Sequence, residues 1–322
     1  MTTATDIDKK KPLAGLSESG AYQKMLAFAS LIALLIGFSI ASPNFMQTSN
    51  MIAILQATSV NGVLAVAATL IIITGGIDLS LGTLMTFCAV IAGVALTYLG
   101  MPLLLGVAAA IAAGALCGLC SGTFVAKMKI PPFIATLGMF LVCRGIALWW
   151  SGGNPISFPT EGYAWIGSGM MPVVWFVLLA IVFQLIMKYT VYGKHTYAIG
   201  SNEDAARMSG INVRRHKVMV YMIASTLAAF AGIVLSSKAV TAQAGMGEFY
   251  ELFAIAMAVI GGISLQGGRG SIIGTVLGAM VLGVIRSGFT YIKLDGSYQL
   301  MAMGSIIISA VILDQYRQRN KA

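Results

Sequence analysis

Apolar residues run in long stretches broken by brief polar or Gly/Pro punctuation, and the stretches recur along nearly the whole chain. A helix needs about 20 residues to cross a hydrocarbon core. Read against that length, the pattern predicts ten spans, near residues 23–41, 52–73, 80–98, 102–124, 133–151, 171–187, 218–236, 250–265, 271–290 and 298–313. The predicted fold class is an all-α polytopic membrane protein. It has one transmembrane domain over 23–314, a polar segment 1–22 before it and a tail 315–322 after it. Composition points the same way: 58% of the 322 residues are hydrophobic and 10% charged, a balance that would not keep a soluble domain of this length dispersed. The polar, lysine-bearing start leads into further spans instead of a small-residue cleavage site, so no cleaved signal peptide is expected.

Charge then orients the spans. Ten crossings place both termini on one side, together with the turn AKMKIPP (126–132), the segment 188–217 and the turn LQGGRG (265–270). These stretches, with the amino-terminal KKK and the tail QYRQRNKA, hold most of the Lys and Arg, which assigns them to the cytoplasm. On the other side, SPNFMQTSN (42–50) and SGGNPISFPTEGYAWIGSG (151–169) carry no Lys or Arg, and Trp149, Trp150, Tyr163 and Trp165 stand where an interfacial aromatic belt is expected. The loop containing Lys238 and Glu248 is the exception. Because the basic residues are scattered over loops, the net charge of +9 does not indicate a nucleic-acid surface.

Glycine occurs 37 times, and the spacings Gly114, Gly118, Gly122 and Gly274, Gly278 predict ridges along which helices approach closely. Cys88, Cys117, Cys120 and Cys143 all fall inside apolar runs and read as small hydrophobes. Although Cys117 and Cys120 form a CxxC, no βαβ context or further ligand accompanies them, and His195 and His216 read as solvated loop residues without metal spacing. Two octamers, GGIDLSLG (75–82) and GGISLQGG (261–268), agree at five of eight positions, as an internal repeat of a transporter fold would.

Within the long segment 188–217 lies a short helix with both ends marked. Ser201 or Asn202 is placed to cap its start, Glu203 and Asp204 suit its positive first turn, and Gly210 is placed just beyond its end. About two turns of helix are marginal alone in water. The helix must therefore rest either on its own membrane-proximal surface or in a groove of a partner protein.

At this point the chain resembles a known family. NEDAARMSGI is similar to the cytoplasmic coupling loop of ABC importer permeases. With GGIDLSLG, IPPFIATLGMFLVCRG (130–145), YGKHTYAIGSNEDAARMSGI (192–211) and YELFAIAMAVIGGISLQGGRG (250–270), it looks like the permease subunit of a ribose-type monosaccharide ABC importer, over about residues 42–314. The resemblance implies two permeases, identical or paired with a related one, cytoplasmic ATPase subunits and a periplasmic sugar-binding protein. It implies that Asn202, Glu203, Asp204, Ala205, Ala206, Arg207 and Gly210 form the ATPase contact. The chain has no GxxxxGK[ST] phosphate loop, so ATP and its Mg ion are expected on the partner and no cofactor, metal or catalytic residue on this chain.

Five further residues are candidates for the pathway or its gate. Asp78 is the one charged residue between Lys24 and Lys127; it either faces a pathway or caps the third span at the cytoplasmic surface. Arg144 is expected to pair with Glu248 or Glu251, while Gln56 and Asn61 either bind sugar hydroxyls or join helices. An ion-coupled secondary transporter using Asp78 and Glu251 is the competing function; an intramembrane enzyme finds no Ser/His, Cys/His or metal constellation.

Overall fold

The computed structural model describes residues 20–158 and 161–319, so the amino-terminal KKK and the last three residues lie outside the described part. The described chain is almost wholly helical. Among the described residues eight helices are long and apolar enough to cross a membrane: α1 Gly20–Ala41, α2 Thr48–Ile73, α3 Leu81–Gly93 with a π-helical extension Val94–Tyr98, α4 Leu103–Ala126, α5 Pro132–Ser151, α7 Met171–Tyr189, α10 Val213–Ala239 and α12 Ile272–Tyr291. Two shorter apolar stretches, α11 Tyr250–Ile260 and the part of α13 (Gly296–Arg319) up to Ile312, account for the remaining expected spans. A small helix α6, Glu161–Gly167, and a two-stranded ribbon, β1 Ile156–Ser157 against β2 Thr241–Ala242, close the end of the bundle opposite the basic loops.

The apolar pattern explains the layering. Helix α2 is apolar on every side, and every residue from 58 to 73 is buried, as expected of a helix at the centre of a bundle. Helices α3 and α10 share this central position, whereas α1, α4, α5 and α7 each turn a row of large apolar side chains outward. The glycine ridge on α4 does what its spacing predicts. A Cβ at Gly118 would come within 2.6 Å of the Tyr221 carbonyl oxygen, and one at Gly122 within 2.8 Å of the Val218 Cα, so α4 and α10 touch backbone to backbone.

Four expectations change. The stretch 250–265 is not a continuous helical crossing: α11 stops at Ile260, and Gly262 at φ +90° turns the chain away. The segment 188–217 is largely helical, since α8 (Val191–Ser201) and α9 (Glu203–Met208) precede α10. His216 is buried, with its Nε2 2.9 Å from the Thr196 hydroxyl, because α8 folds back onto the first turn of α10. Tyr163 is fully buried instead of interfacial: its ring stacks on Phe158 and its hydroxyl lies 2.6 Å from Ser236 Oγ, while Trp149, Trp150 and Trp165 remain exposed.

The two similar octamers sit in equivalent places but not in the same register. In both, a helix closes with paired 6→1 and 5→2 backbone bonds: Gly76 N–H to Ile71 O and Gly75 N–H to Ile72 O after α2, Ile263 N–H to Ala258 O and Gly262 N–H to Val259 O after α11. The left-handed residue is the first glycine of the pair in one, Gly75, and the second in the other, Gly262. The structural correspondence is therefore shifted by one residue from the sequence match.

Candidate functional site

Helix α9 is built as its sequence suggests. The Asn202 side chain accepts a hydrogen bond from Ala205 N–H at 2.9 Å, so Asn202 and not Ser201 is the cap. At the other end Ile211 N–H bonds to Ala206 O and Gly210 N–H to Arg207 O, with Gly210 at φ +85°. Ala206 turns inward onto Ile199, Val213 and Ile211, whereas Met208, 84% exposed, points away from the domain. Glu203 receives Lys217 and Arg207, and Arg207 also holds Asp204 at 3.0 Å. Partial burial opposes ionisation of Glu203, but Lys217 and Arg207 outweigh it and keep its carboxyl below the usual range.

Behind α9, three chain segments meet at the basic end of the bundle. The last turn of α8 brings Gly200 against the Ile73 carbonyl at the end of α2, so closely that a Cβ on Gly200 would collide with that oxygen and come within 2.5 Å of Gly268 N. Gly268 N–H itself bonds to Ile73 O at 2.8 Å, and the Tyr197 hydroxyl donates to Gly270 O at 2.9 Å. Loop 261–271 also packs on loop 74–80, where a Cβ on Gly267 would lie 2.9 Å from Gly75 N. The segment carrying α9 is thus in backbone contact with the ends of two central elements.

Loop 74–80 places Asp78 in the interior, 2% exposed, not at a surface. One carboxylate oxygen accepts from Ser80 N–H at 2.7 Å and from Ser80 Oγ at 2.6 Å; Ser80, not Asp78, occupies the cap position of α3. The Thr136 hydroxyl of α5 accepts from Leu79 N–H at 3.2 Å and fixes the loop from outside. The second Asp78 oxygen and the Tyr221 hydroxyl, which rests against Gly76, have no hydrogen-bond partner among the described residues.

Glu251 is reached from the opposite end. The ribbon residue Ala242 packs at Gly93 and the Gly247 carbonyl packs at Gly82, so segment 243–249 descends along α3 for 11 helical residues, about 16 Å. Helix α11 then runs about another 16 Å to loop 261–271. Glu251, 5% exposed, therefore lies near the middle of the crossing, and its Oε2, set against Gly82, has no hydrogen-bond partner among the described residues. Arg144 meets Glu248 at 3.6 Å, not Glu251, and the two side chains are 35% and 48% exposed on the outer face of the chain.

Gln56 and Asn61 belong to a different feature, a cavity of about 770 Å³ between α2, α10, α11, α12 and α13. Its wall runs along α2 from Ser49 to Asn61, about 18 Å. Gln56 donates to the Gly169 carbonyl at 2.8 Å, while Thr58 Oγ1 and Asn61 Oδ1 are buried without partners. Lys238 and Arg286 line the cavity, and among the described residues no Asp or Glu does. Asp78, Arg144 and Glu251 take no part in its wall. Sequence reasoning missed Gly200 and Thr136, because the close contacts that make them matter are with residues far away in the chain. Among the described residues no cluster of three or more His, Cys, Asp or Glu side chains is placed to hold a metal.

The chain matches, over residues 50–313, the family described as branched-chain amino acid transport system / permease component. It is similar to the ribose import permease protein RbsC of Bacillus subtilis (strain 168), 39% identical over 304 residues that cover 92% of this chain and 94% of the relative. The ribose import permease protein RbsC of Escherichia coli (strain K12) is 41% identical over 303 residues, 90% of this chain and 94% of the relative. The fructose import permease protein FrcC of Rhizobium meliloti is 35% identical over 301 residues, 89% and 83% respectively. No solved structure matches.

Proposed function

The chain belongs to this family of import-system permeases, multi-pass proteins of the inner membrane, and on that premise we propose that it carries a monosaccharide inward, driven by a separate ATPase subunit acting through α9. The observation that carries the reading is the contact of Gly200 with Ile73 O and Gly268 N. It ties a capped, outward-standing cytoplasmic helix to the ends of α2 and α11, which line the cavity, so that a push on one is felt by the other. ATP and Mg ion act on the partner, since this chain has no phosphate loop. A periplasmic binding protein delivers the sugar.

The cavity favours a sugar over the amino acid of the family's description. Amide and hydroxyl groups at Gln56, Asn61, Thr58 and Ser287 suit a polyol, and no carboxylate in the wall offers a partner to an α-ammonium. The half-exposed Arg144–Glu248 pair, level with the middle of the crossing, supports a second permease copy. An ion pair at that depth is costly against lipid but not against another chain or water.

Asp78 and Glu251, each with an unpartnered oxygen, favour one second reading, ion-coupled transport. Vesicles containing the full complex distinguish the two. Uptake should persist when ion gradients are collapsed and stop when ATP is depleted; the reverse would establish the ion-coupled reading.

A further inference from the structure

A basic pocket of about 330 Å³ opens beside α9, lined by Lys129, Arg207, Arg214 and Lys217 with Glu203 as the one carboxylate. Lys217 and Arg207 are engaged by Glu203, but among the described residues neither Lys129 nor Arg214 pairs with a carboxylate. The turn that presents Lys129 is held firmly: Lys127 N–H and Met128 N–H bond to Thr123 O, and Ile130 N–H bonds to Phe124 O. Lys129 itself stands at φ +58°, a conformation that favours glycine. The turn's hydrogen bonds hold the Lys129 backbone at the pocket wall, so its ammonium stays within reach of an anion bound there.

We propose that this pocket holds the phosphate of an anionic phospholipid of the cytoplasmic leaflet. Its position selects a lipid over a soluble partner. The walls are the ends of three membrane helices, at Ala126, Pro132 and Val213. Directly after Pro132 the first turn of α5 exposes Phe133 and Ile134, an apolar surface on which acyl chains continue from a headgroup bound above. Basic pockets between helices at the cytoplasmic boundary recognise anionic headgroups by charge and by the donor fork of Arg. Because Glu203 and the phosphate share Lys217 and Arg207, an occupied pocket loosens the bonds that fix the first turn of α9 and so adjusts its stance.

The test uses the whole complex with its ATPase subunit in phosphatidylcholine nanodiscs containing graded phosphatidylglycerol. Retained lipid is counted by native mass spectrometry and ATP hydrolysis is measured alongside. The parent should retain phosphatidylglycerol, and the Lys129→Gln/Arg214→Gln variant should need about tenfold more of it for equal retention. Lys129→Gly, which relieves the backbone while removing the charge, should show the same direction with unimpaired melting. Equal retention by parent and variants would overturn the proposal. So would displacement of the lipid by millimolar inorganic phosphate, which would mark a soluble-anion site. Release of the ATPase subunit by the variants with lipid retention unchanged would mark a protein contact instead.

Discussion

A complex in which residues 202–209 are replaced by a glycine/serine linker should lose substrate-stimulated ATP hydrolysis while its membrane domain keeps the parent's melting temperature. Asn202 and Gly210 close α9 at both ends, and its side-chain ties to the domain are the buried Ala206 and the Glu203–Lys217 ion pair. Removing one small apolar contact and one partly exposed ion pair leaves the bundle unharmed. The linker erases the rigid element by which a partner distinguishes two states of the permease, a coupling worth about 1–3 kcal/mol in typical systems. Stimulation should therefore fall from several-fold to none. Stimulation that survives the replacement would remove α9 from the coupling path.

The second large effect is expected at Gly200. In Gly200→Val the new side chain must occupy the space of the Ile73 carbonyl and crowd Gly268 N, breaking the 2.8 Å bond between them. Overpacking of this kind typically costs about 1–3 kcal/mol. Here it also pries α8 off the ends of α2 and α11. Transport should drop below a tenth of the parent's rate, with a lowered melting temperature, while the ATPase subunit stays bound because α9 is untouched. Gly200→Ala should fall between the two. A Gly200→Val protein that transports at the parent's rate would show that this contact relays nothing.

The parts legible in the sequence are those fixed by local chemistry. The caps of α9 follow from Asn202 and Gly210, and the α4–α10 crossing from glycines spaced by four. Helix α8 was not legible, because VYGKHTYAIGS has no strong apolar face and gains its stability by packing on the loops behind it. The break in the eighth crossing was hidden by the apolar residues Ile263 and Leu265, which continue the hydropathic run although Gly262 has already turned the chain. The setting of Asp78 depends on Thr136, which fixes its loop by accepting from Leu79 N–H, 57 residues away in the chain. Nothing local to Asp78 announces that partner. Nor does the run before Glu251 reveal that the chain re-enters the domain alongside α3 before α11 begins.

The neighbour that touches α9 decides whether this helix is the coupling element. A photo-crosslinking amino acid placed at Met208, an outward side chain of the helix, reads this directly in the assembled complex in membranes. A covalent adduct with the ATPase subunit, changing in yield between nucleotide-free and ATP-trapped states, is the predicted outcome. Adducts with lipid alone, or none in either state, would contradict it.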